Sequence, residues 1–480
     1  MAFKIDATLI KNIDQPPLNM LNYFINLKNS RRFHYDKLER YYLGKHIIFD
    51  REFSNLGSKN NKVMTNYAKY IVDMVTGMIT GNPITYIADD GNDISSINDS
   101  FNKMDIAAHD TELERDLSCF GKAYEMAYLS AISDTQTVEK IALLDVRDTF
   151  VITDDTEDAN VLYGVYMIKK LNLDGSDNGY LISIYTPNVL IQYRTINGTL
   201  LADGNIQDGY PKFTKHYWGA EPITEFKNNT QEQGDFEQLI SQIDAYNSLQ
   251  SDRIADKDAF VDAILLGYGT QIDGTLEKGQ MLDGLPPKSE GTSIEWLTKT
   301  LDESQAQTLA DSISADIHEM SNVPDMNDQN FAGNVSGEAM KYKLFGLLNL
   351  ISVKSQSLKK GLRRRLELMG NMLHIKAQNV DSSDIRIQIT PNIPVNMVDT
   401  INNIKNADGI IPRLVTYGWL PEGYDPNKLM EMMQQQNDDQ IASQQKAFSE
   451  PATGNLDNSQ QEDFRNDSNT SQSNTENDNN

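Results

Sequence analysis

The sequence predicts an α+β protein that is mainly helical, and three observations carry this prediction. Residues 235–265 contain neither proline nor glycine, and their apolar side chains recur at the period of a long amphipathic helix. Residues 123–217 instead contain short β-rich runs separated by Gly, Asp, Asn and Pro turns. The 480 residues exceed what one hydrophobic core usually organises, so we expect more than one domain.

Two helices are predicted to open the chain, before the β-rich region. Residues 17–43 have apolar side chains at mostly helical spacing, and Gly44 ends the pattern. Residues 63–80 follow a polar run and stop at Gly81-Asn82-Pro83, which is typical of a helix end. The β-rich runs lie at residues 161–168, 181–185 and 189–195. The first 234 residues therefore predict a mixed domain of helices and strands.

A helical hairpin with a lobe at its tip is predicted next. The helix at residues 235–265 is followed by a turn-rich insertion at 267–299, and a second helix covers 302–322 until Pro324 ends it. Both helices are mostly acidic. The acidic face of the first is either an ordinary solvated surface or a surface presented to another molecule. Its acidic residues are Glu237, Asp244, Asp252, Asp256, Asp258 and Asp262, against Arg253 and Lys257.

A loop and a long basic helix follow. Residues 323–335 are polar and turn-rich, which predicts a loop. Ser336 is a candidate N-cap for a helix that reaches about residue 379, and we expect a kink at Gly346, Gly361 or Gly370. The basic residues either pair with the acidic helices or face a polyanion. They are Lys341, Lys343, Lys354, Lys359, Lys360, Arg363, Arg364, Arg365 and Lys376.

The C-terminal part is predicted in three pieces. Residues 385–389 alternate in the manner of a strand, and a smaller helical region extends to about residue 436. Residues 437–480 are rich in Gln, Asn, Ser, Asp and Glu with almost no large apolar residues, so we expect a disordered acidic and polar tail.

Charge and cysteine content narrow the classes of function. The chain has 69 Asp and Glu against 43 Lys and Arg, a net charge of −26, which argues against a broad surface that neutralises phosphates. The segment Met1 to Asp6 has no apolar h-region and no apolar run approaches the ~18 residues of a membrane span, so we expect neither secretion nor a membrane segment. Cys119 cannot form an intrachain disulfide by itself, which fits a reducing cytoplasm, and we expect it to be a buried apolar residue.

Catalytic motifs are nearly absent from the sequence. It contains no P-loop and no G-x-G-x-x-G motif, and His318-Glu319 lacks the second histidine of a zincin. Asp154-Asp155 could bind Mg²⁺, but adjacent aspartates in turn-rich sequence are more often solvated. We therefore expect no catalytic residue, no metal and no cofactor. A metal-dependent nuclease that uses Asp154 and Asp155 is the enzymatic alternative.

Several segments together resemble the portal proteins of siphophages that infect Gram-positive bacteria, over roughly residues 20–430. Each segment is weakly specific, but their order and the predicted architecture make the combination specific. The segments are Tyr35 to His46, Lys59 to Lys62, Tyr67 to Asp73, Gly81 to Ile84, Glu221 to Asn229, Gly234 to Glu237, Ile243 to Asn247 and Ser336-Gly337-Glu338-Ala339.

The resemblance implies a portal fold with named parts. Residues 1–234 correspond to the wing, residues 235–265 and 301–322 to the two stem helices, and residues 266–300 to the clip. Residues 323–335 correspond to the tunnel loop, 336–380 to the long kinked wing helix and 381–436 to the helical crown, followed by the tail at 437–480.

The resemblance also implies a function and partners. Such proteins form a ring, dodecameric in virions, which is the channel at one capsid vertex for DNA packaging, retention and ejection. The implied partners are double-stranded DNA bound without sequence preference, terminase, major capsid and scaffold proteins, and later head-completion or adaptor proteins. The implied location is the virion, with the host cytoplasm during assembly and no membrane. The alternative is another phage structural or scaffold protein that forms no closed ring.

Three groups of residues are the predicted sites. The tunnel loop places Asn327, Asp328, Asn330, Phe331 and Asn334 near DNA as a gating surface. Lys341 and Lys343 are candidates to face DNA, and the acidic stem face comprises Asp244, Asp252, Asp256 and Asp258.

Overall fold

The computed structural model describes most of the chain, in two compact units, Met1–Val395 and Asn396–Asn480. The described residues are 3–52, 61–88, 93–133, 136–200, 209–260, 264–268, 293–297, 303–326, 337–376, 380–393, 397–420 and 426–449. Helices and strands are mixed in the first unit, and the second unit is helical in its described part. The mixed, mainly helical α+β class predicted from the sequence is confirmed.

Four helices belong to the first part of the chain. They are α1 (Leu18–Tyr42), α2 (Tyr67–Thr80), α3 (Ser95–Met104) and α4 (Ile106–Phe120). The predicted helix at 17–43 is confirmed as α1, and its apolar face is buried through Leu21, Phe24 and Leu38. The helix predicted from residue 63 begins later, at Tyr67, because Asn66 caps it by accepting a hydrogen bond from the Lys69 amide.

A six-stranded sheet occupies the region where β-rich runs were predicted. Its order is β1 (Lys4–Ile5), β5 (Thr149–Asp154), β6 (Val161–Leu171), β7 (Asp177–Tyr185), β8 (Val189–Thr195) and β9 (Lys212–Lys215). The first pair is parallel and the others are antiparallel. One face buries Phe150, Tyr163 and Ile182 against Leu21 and Phe24 of α1. The three predicted runs are thus confirmed as β6, β7 and β8.

Two smaller sheets connect this region to the rest of the first unit. Strand β3 (Lys122–Ser133) lies between β10 (Ile223–Lys227) and β4 (Gln136–Leu144). Strand β2 (Thr85–Ala88) pairs antiparallel with β13 (Ile385–Gln388), which confirms the strand predicted at 385–389. This last pairing brings segments about 300 residues apart in the sequence into one sheet.

The predicted helical hairpin is present, with one correction at its tip. A short 3₁₀ turn at Glu237–Leu239 leads into α5 (Ile240–Phe260), and α6 (Glu303–Ser321) returns beside it. The helix predicted to reach residue 265 ends earlier, because Ile264–Tyr268 forms strand β11 against β12 (Ser293–Leu297). The apolar residues at 264–266 favour a strand when a partner strand lies beside them, and this pairing prevails over the helical spacing of apolar residues in the sequence. The remainder of the predicted lobe lies outside the described residues.

The long basic helix is interrupted, in its described part, two residues before Gly346. It consists of α7 (Gly337–Lys343) and α8 (Phe345–Ile375), with the break at Leu344. Gly346 lies in the first turn of α8, beside this break, and Gly361 and Gly370 lie further inside α8, so the kink expected at one of these glycines stays a prediction. Gly361 has a packing role, because a Cβ atom there would lie 2.2 Å from Cδ1 of the buried Phe226 ring. The predicted N-cap Ser336 lies outside the described residues.

The second unit contains α9 (Met397–Ala407), α10 (Arg413–Tyr417) and α11 (Pro426–Ser449). The helical region was expected to end near residue 436, and this is corrected to Ser449. The extra residues are polar but contain neither glycine nor proline, so their composition does not oppose a helix. Residues 450–480 of the predicted tail lie outside the described part.

The main hydrophobic core of the first unit surrounds α8. Leu362 and Leu366 of α8 are fully buried together with Ile71 and Val75 of α2 and Leu117 of α4. Because α8 crosses this core, its charged residues must either project outward or find partners inside.

Candidate functional site

The basic residue Arg365 of α8 is buried in a cluster of opposite charge. Its Nη2 lies 2.6 Å from Oε2 of Glu125 on β3, and its Nη1 lies 2.7 Å from Oδ1 of Asp110 on α4. Nε2 of His109 lies 3.0 Å from the same Glu125 oxygen. Arg365, Glu125 and Asp110 are all at most 3% exposed, so one guanidinium serves two buried carboxylates.

The two carboxyl groups that share this guanidinium have pKa values shifted in opposite directions. Burial acts to raise the pKa of Glu125, but Arg365 and His109 outweigh it and bring the pKa down to about 2. Burial raises the pKa of Asp110 above its ordinary value, even though Arg365 acts in the other direction. The cluster therefore binds Glu125 firmly as a carboxylate and is less favourable for a charged Asp110.

A second buried cluster joins α8 to α4 and to the start of the α5 hairpin. Nζ of Lys354 lies 2.8 Å from Oε1 of Glu114 and 2.6 Å from Oδ2 of Asp235. Asp235 also accepts hydrogen bonds from Oγ of Ser118 at 2.5 Å and from Nδ2 of Asn228 at 2.9 Å. Asp235 is thus held by three separate segments at the point where the chain enters the hairpin.

Further basic residues of this region also have carboxylate partners. Arg364 donates to Glu221 at 2.6 Å and to Glu367 at 2.7 Å, and Lys376 lies 2.5 Å from Glu139 on β4. Of the two possibilities left open by the sequence, internal pairing is confirmed for Lys354, Arg364, Arg365 and Lys376. Their partners come from α4, β3, β4, α8 itself and the segments before β10 and α5, rather than from α5 or α6.

The predicted acidic face of α5 is divided between anchored and exposed residues. Asp244 is half-buried and accepts hydrogen bonds from Oη of Tyr41 at 2.8 and 2.9 Å, and burial raises its pKa. Asp252 lies 2.9 Å from Nη2 of Arg51, and Asp256 is exposed. The side chain of Asp258 lies outside the described part of the chain.

The residues predicted to lie near DNA are described only in part. Asn327, Asp328, Asn330, Phe331 and Asn334 all fall in residues 327–336, which lie outside the described residues. Lys341 and Lys343 are exposed on α7. Between them Tyr342 is 81% exposed.

The aspartates of the enzymatic alternative lie at the end of β5 and at the start of the turn that follows it. Oδ1 of Asp154 accepts hydrogen bonds from Oγ1 of Thr156 at 2.6 Å and from the Asn160 amide at 2.9 Å, and these bonds lower the pKa of Asp154. Asp155 is exposed. Across the described ranges, no group of three or more His, Cys, Asp or Glu residues is arranged to hold a metal ion. Asp154 here has a local structural role in closing the turn.

Burial also affects the protonation of the Cys119 thiol, which lies at the end of α4. Its side chain is buried, and burial raises the thiol pKa, as expected for a cysteine that packs as an apolar residue. Among the helices in the described part, none is both long and apolar enough to cross a membrane.

Lys28 of α1 is a buried lysine that was not predicted from the sequence. It is 1% exposed, and its Nζ lies 4.9 Å from the ring centre of Tyr35 and 5.4 Å from that of Tyr124. Burial lowers its pKa to about 7, with a smaller contribution from Lys122. Its position in the helix, on the same face as the buried Phe24 and Ile25, was the available signal.

Comparison with known proteins gives one family over most of the chain. The family model described as "Phage portal protein, SPP1 Gp6-like" matches residues 21–446. The chain is 20% identical over 430 residues to the portal protein of Bacillus phage SPP1, covering 85% of this chain and 80% of that protein.

Two solved structures are also similar. One is described as the neck of an empty GTA particle computed with C6 symmetry, with 12% identity, 74% of this chain and 90% of that chain covered, and a TM-score of 0.36. The other is the virion of a native gene transfer agent (GTA) particle, with 12% identity, coverages of 73% and 89%, and a TM-score of 0.36. At this TM-score the likeness carries no argument about the present chain.

Proposed function

The chain belongs to the SPP1 Gp6-like family of phage portal proteins, and on this premise we propose that it is the subunit of a ring-shaped DNA channel at one capsid vertex. The observation that carries the proposal is the family match across residues 21–446. Proteins of this family are structural components of the virion. The proposed role is passive in the chemical sense: the ring conducts DNA during packaging and ejection and retains it in between.

The proposed ring contains twelve copies and contacts several partners in turn. Terminase docks on it during packaging, and head-completion or adaptor proteins replace terminase afterwards. Major capsid and scaffold proteins surround it, and double-stranded DNA passes through without sequence preference. Assembly takes place in the host cytoplasm.

The parts of the chain receive the following proposed roles. Residues 1–234 form the wing, α5 and α6 lie in the stem, and residues 266–300 form the clip that meets terminase. Residues 323–335 form the tunnel loop, α7 and α8 the long wing helix and residues 381–449 the crown, with the tail at 450–480.

The charge of the chain supports a channel through which DNA passes without binding tightly to the protein. The chain carries a net charge of −26, and α6 contains Glu303, Asp311, Asp316 and Glu319 but no lysine or arginine. Four basic residues at Lys354, Arg364, Arg365 and Lys376 are engaged by carboxylates within the protomer. The net negative charge and these four internal pairs reduce the positive charge that could neutralise phosphates, so a sliding duplex would meet little electrostatic friction. Asp256 and the α6 acids are the proposed channel-facing charges, with Lys341 and Lys343 as the nearby cations.

Microscopy and native mass spectrometry of the purified chain test the ring directly. We expect particles with a central hole and a mass of several protomers. An adaptor or scaffold protein would instead give open oligomers or monomers. A compact monomer that degrades DNA with Mg²⁺, and loses this activity in Asp154→Ala, would establish the nuclease alternative.

A deletion tests the proposed tunnel loop. Removing residues 326–333 should leave rings assembled, because the elements that form the protomer core are retained, but should impair DNA packaging or retention. Packaging and retention equal to wild type would remove the gating role from Asn327, Asp328, Asn330 and Phe331.

A further inference from the structure

The helical second unit has little hydrophobic core of its own. Among its described residues, 397–420 and 426–449, no large apolar side chain is buried. Several are instead well exposed, such as Ile410 at 81% and Ile441 at 53%. Holding one residue in a helix costs about 1–2 kcal/mol of conformational entropy, which the burial of apolar surface normally offsets. The helices of this unit therefore require a surface that covers their apolar residues.

Helix α11 carries exposed apolar residues along one side. Met430, Met433, Asn437 and Ile441 follow one another at spacings of three, four and four residues, so they form one stripe along the helix. We call these four residues the α11 stripe. All of them are exposed, as is every other side chain from residue 430 to residue 442. The charged residues of the helix fall outside the stripe, and they are Lys428, Glu431, Asp438, Asp439 and Lys446.

Helices α9 and α10 expose a second apolar surface in the same unit. Met397 and Ile401 are exposed and lie four residues apart on α9. Val415 of α10 is exposed, and so is Trp419 in the turn after this helix. We call these four residues the α9–α10 surface. Within one copy α10 contacts both α9 and α11, and these contacts leave the α11 stripe and the α9–α10 surface exposed.

The tail of the chain is poorly suited to cover either surface. Residues 450–480 contain only two large apolar residues, Leu456 and Phe464, and they carry seven acidic side chains against Arg465. A segment of this composition can bury little apolar surface. A second copy of the helical unit, in contrast, presents apolar side chains on both of its surfaces.

The charge of α11 permits close contact between copies. Its two lysines and three carboxylates give the helix a net charge of −1, whereas the whole chain has a net charge of −26. The α11 stripe and the α9–α10 surface contain no charged residue, so they can meet without bringing like charges into the contact. The two methionines of the stripe are flexible enough to adapt to an irregular partner surface.

We propose that the α11 stripe of one copy packs against the α9–α10 surface of the next copy. The proposal rests on the proposed ring and identifies a contact between neighbouring subunits in the crown. Because two different surfaces meet, the contact is heterologous, and its repetition around the axis can close a ring. Asn437 is an uncharged polar residue within the stripe, and it can fix the register of the helix against its partner. The same contact offsets the cost of ordering α11, so the helix is stable in the ring and frays in a dissociated protomer.

Hydrogen exchange in rings and in dissociated protomers tests this contact. The amides of residues 430–442 should exchange at least ~10-fold more slowly in rings, a change of about 1.4 kcal/mol. Equally slow exchange in protomers would mean that the chain covers its own helix. Equally fast exchange in rings would mean that no subunit covers it. Either result overturns the proposed contact while the ring stands, whereas a wild-type chain that forms no ring contradicts the proposed function itself.

Glutamine substitutions test which residues make the contact. Met433→Gln removes apolar surface from the stripe and keeps a similar helix propensity, and Ile401→Gln removes apolar surface from the α9–α10 surface. Each variant should increase the exchange rate of α11 in rings at least ~3-fold. Met432→Gln makes the same chemical change outside the stripe, at a methionine that is 58% exposed, and should behave as wild type. Unchanged exchange in folded Met433→Gln or Ile401→Gln rings, or an equal effect of Met432→Gln, would overturn the proposal; circular dichroism verifies folding.

Cross-linking identifies the partner surface. Met433→Cys and Ile401→Cys are introduced into separate chains, which are co-expressed so that rings contain both, and the native Cys119 is buried. A bifunctional thiol reagent should give covalent dimers in mixed rings and none in rings of either variant alone. Dimers from Met433→Cys alone would mean that two stripes pair with each other. Mixed rings without dimers would place the partner of the stripe elsewhere, and both results would overturn the proposed pairing.

Discussion

Replacing Arg365 by leucine should destabilise the protomer more than any other single charge removal on α8. The substitution leaves Glu125 and Asp110, both at most 3% exposed, without the cation that lies 2.6 and 2.7 Å from them. Breaking a buried ion pair by removing one partner costs about 3–5 kcal/mol, since an uncompensated charge remains inside the protein. We therefore expect a loss of this size in the free energy of unfolding at pH 7.

Urea denaturation at a fixed protein concentration measures the loss, because assembly would otherwise contribute to the apparent stability. The matched control is Lys360→Leu, which removes a positive charge from an exposed position on the same helix and should change stability by less than about 0.5 kcal/mol. The defect of Arg365→Leu should shrink as the pH falls, because the unpaired carboxyls can then take up protons.

The wild-type protein should show the complementary pH dependence. The pKa of Glu125 is lowered to about 2 from an ordinary 4.5, so its contribution is complete above pH 4.5 and is lost as the pH falls toward 2. Neutralising the whole cluster, with Arg365→Met, Glu125→Gln and Asp110→Asn together, should recover most of the lost stability. A cost below ~1 kcal/mol for Arg365→Leu, or no recovery in the triple variant, would refute the electrostatic account of this cluster.

Three other expectations concern burial in the same protomer. Lys28→Met should stabilise the protomer by ~1–3 kcal/mol near pH 7. In the wild type the free energy of unfolding should rise between pH 7 and 10.5, because in this range the folded state has lost the Lys28 proton and the unfolded state still holds it. The variant should lack this rise, which unfolding measured as a function of pH would check. Gly361→Ala should cost about 1–3 kcal/mol because its Cβ meets the Phe226 ring, whereas Gly77→Ala, with no atom within 4 Å, should gain ~0.5–1 kcal/mol in thermal unfolding. Cys119 should react with a thiol reagent only at the rate of unfolding, and fast labelling of the native protein would contradict its burial.

Periodic patterns with a local cause were predictable from the sequence. The spacing of apolar residues gave α1, α5, α6 and the strands β6 to β8 to within a few residues, because one buried face per element imposes that spacing. The length of the basic helix followed from its composition, but the position of its break did not. Glycine weakens a helix on average, whereas Gly361 is required by the approach of Phe226, a residue 135 positions earlier in the sequence.

The candidate sites were also predictable only in part from the sequence. The acidic character of α5 and α6 and the basic character of α8 were visible as composition. Which of these charges remain available was not, because Asp244 contacts Tyr41 and Asp252 contacts Arg51, and both partners come from the first 51 residues. The predicted tunnel-loop residues stay a prediction.

By itself, the sequence determined the class of fold, the positions of α1, α5, α6 and the strands β6 to β8, and the family to which the chain belongs. These depend on the local spacing of apolar residues and on the order of motifs, and both can be read directly from the sequence. Only the tertiary structure decided which charged side chains are buried. Arg365 and Lys354 are buried against carboxylates, while Lys341 and Lys343 are exposed at the surface. The physical reason is that a charge can be buried only where long-range packing brings a partner within hydrogen-bonding distance, and no spacing within one helix specifies that partner.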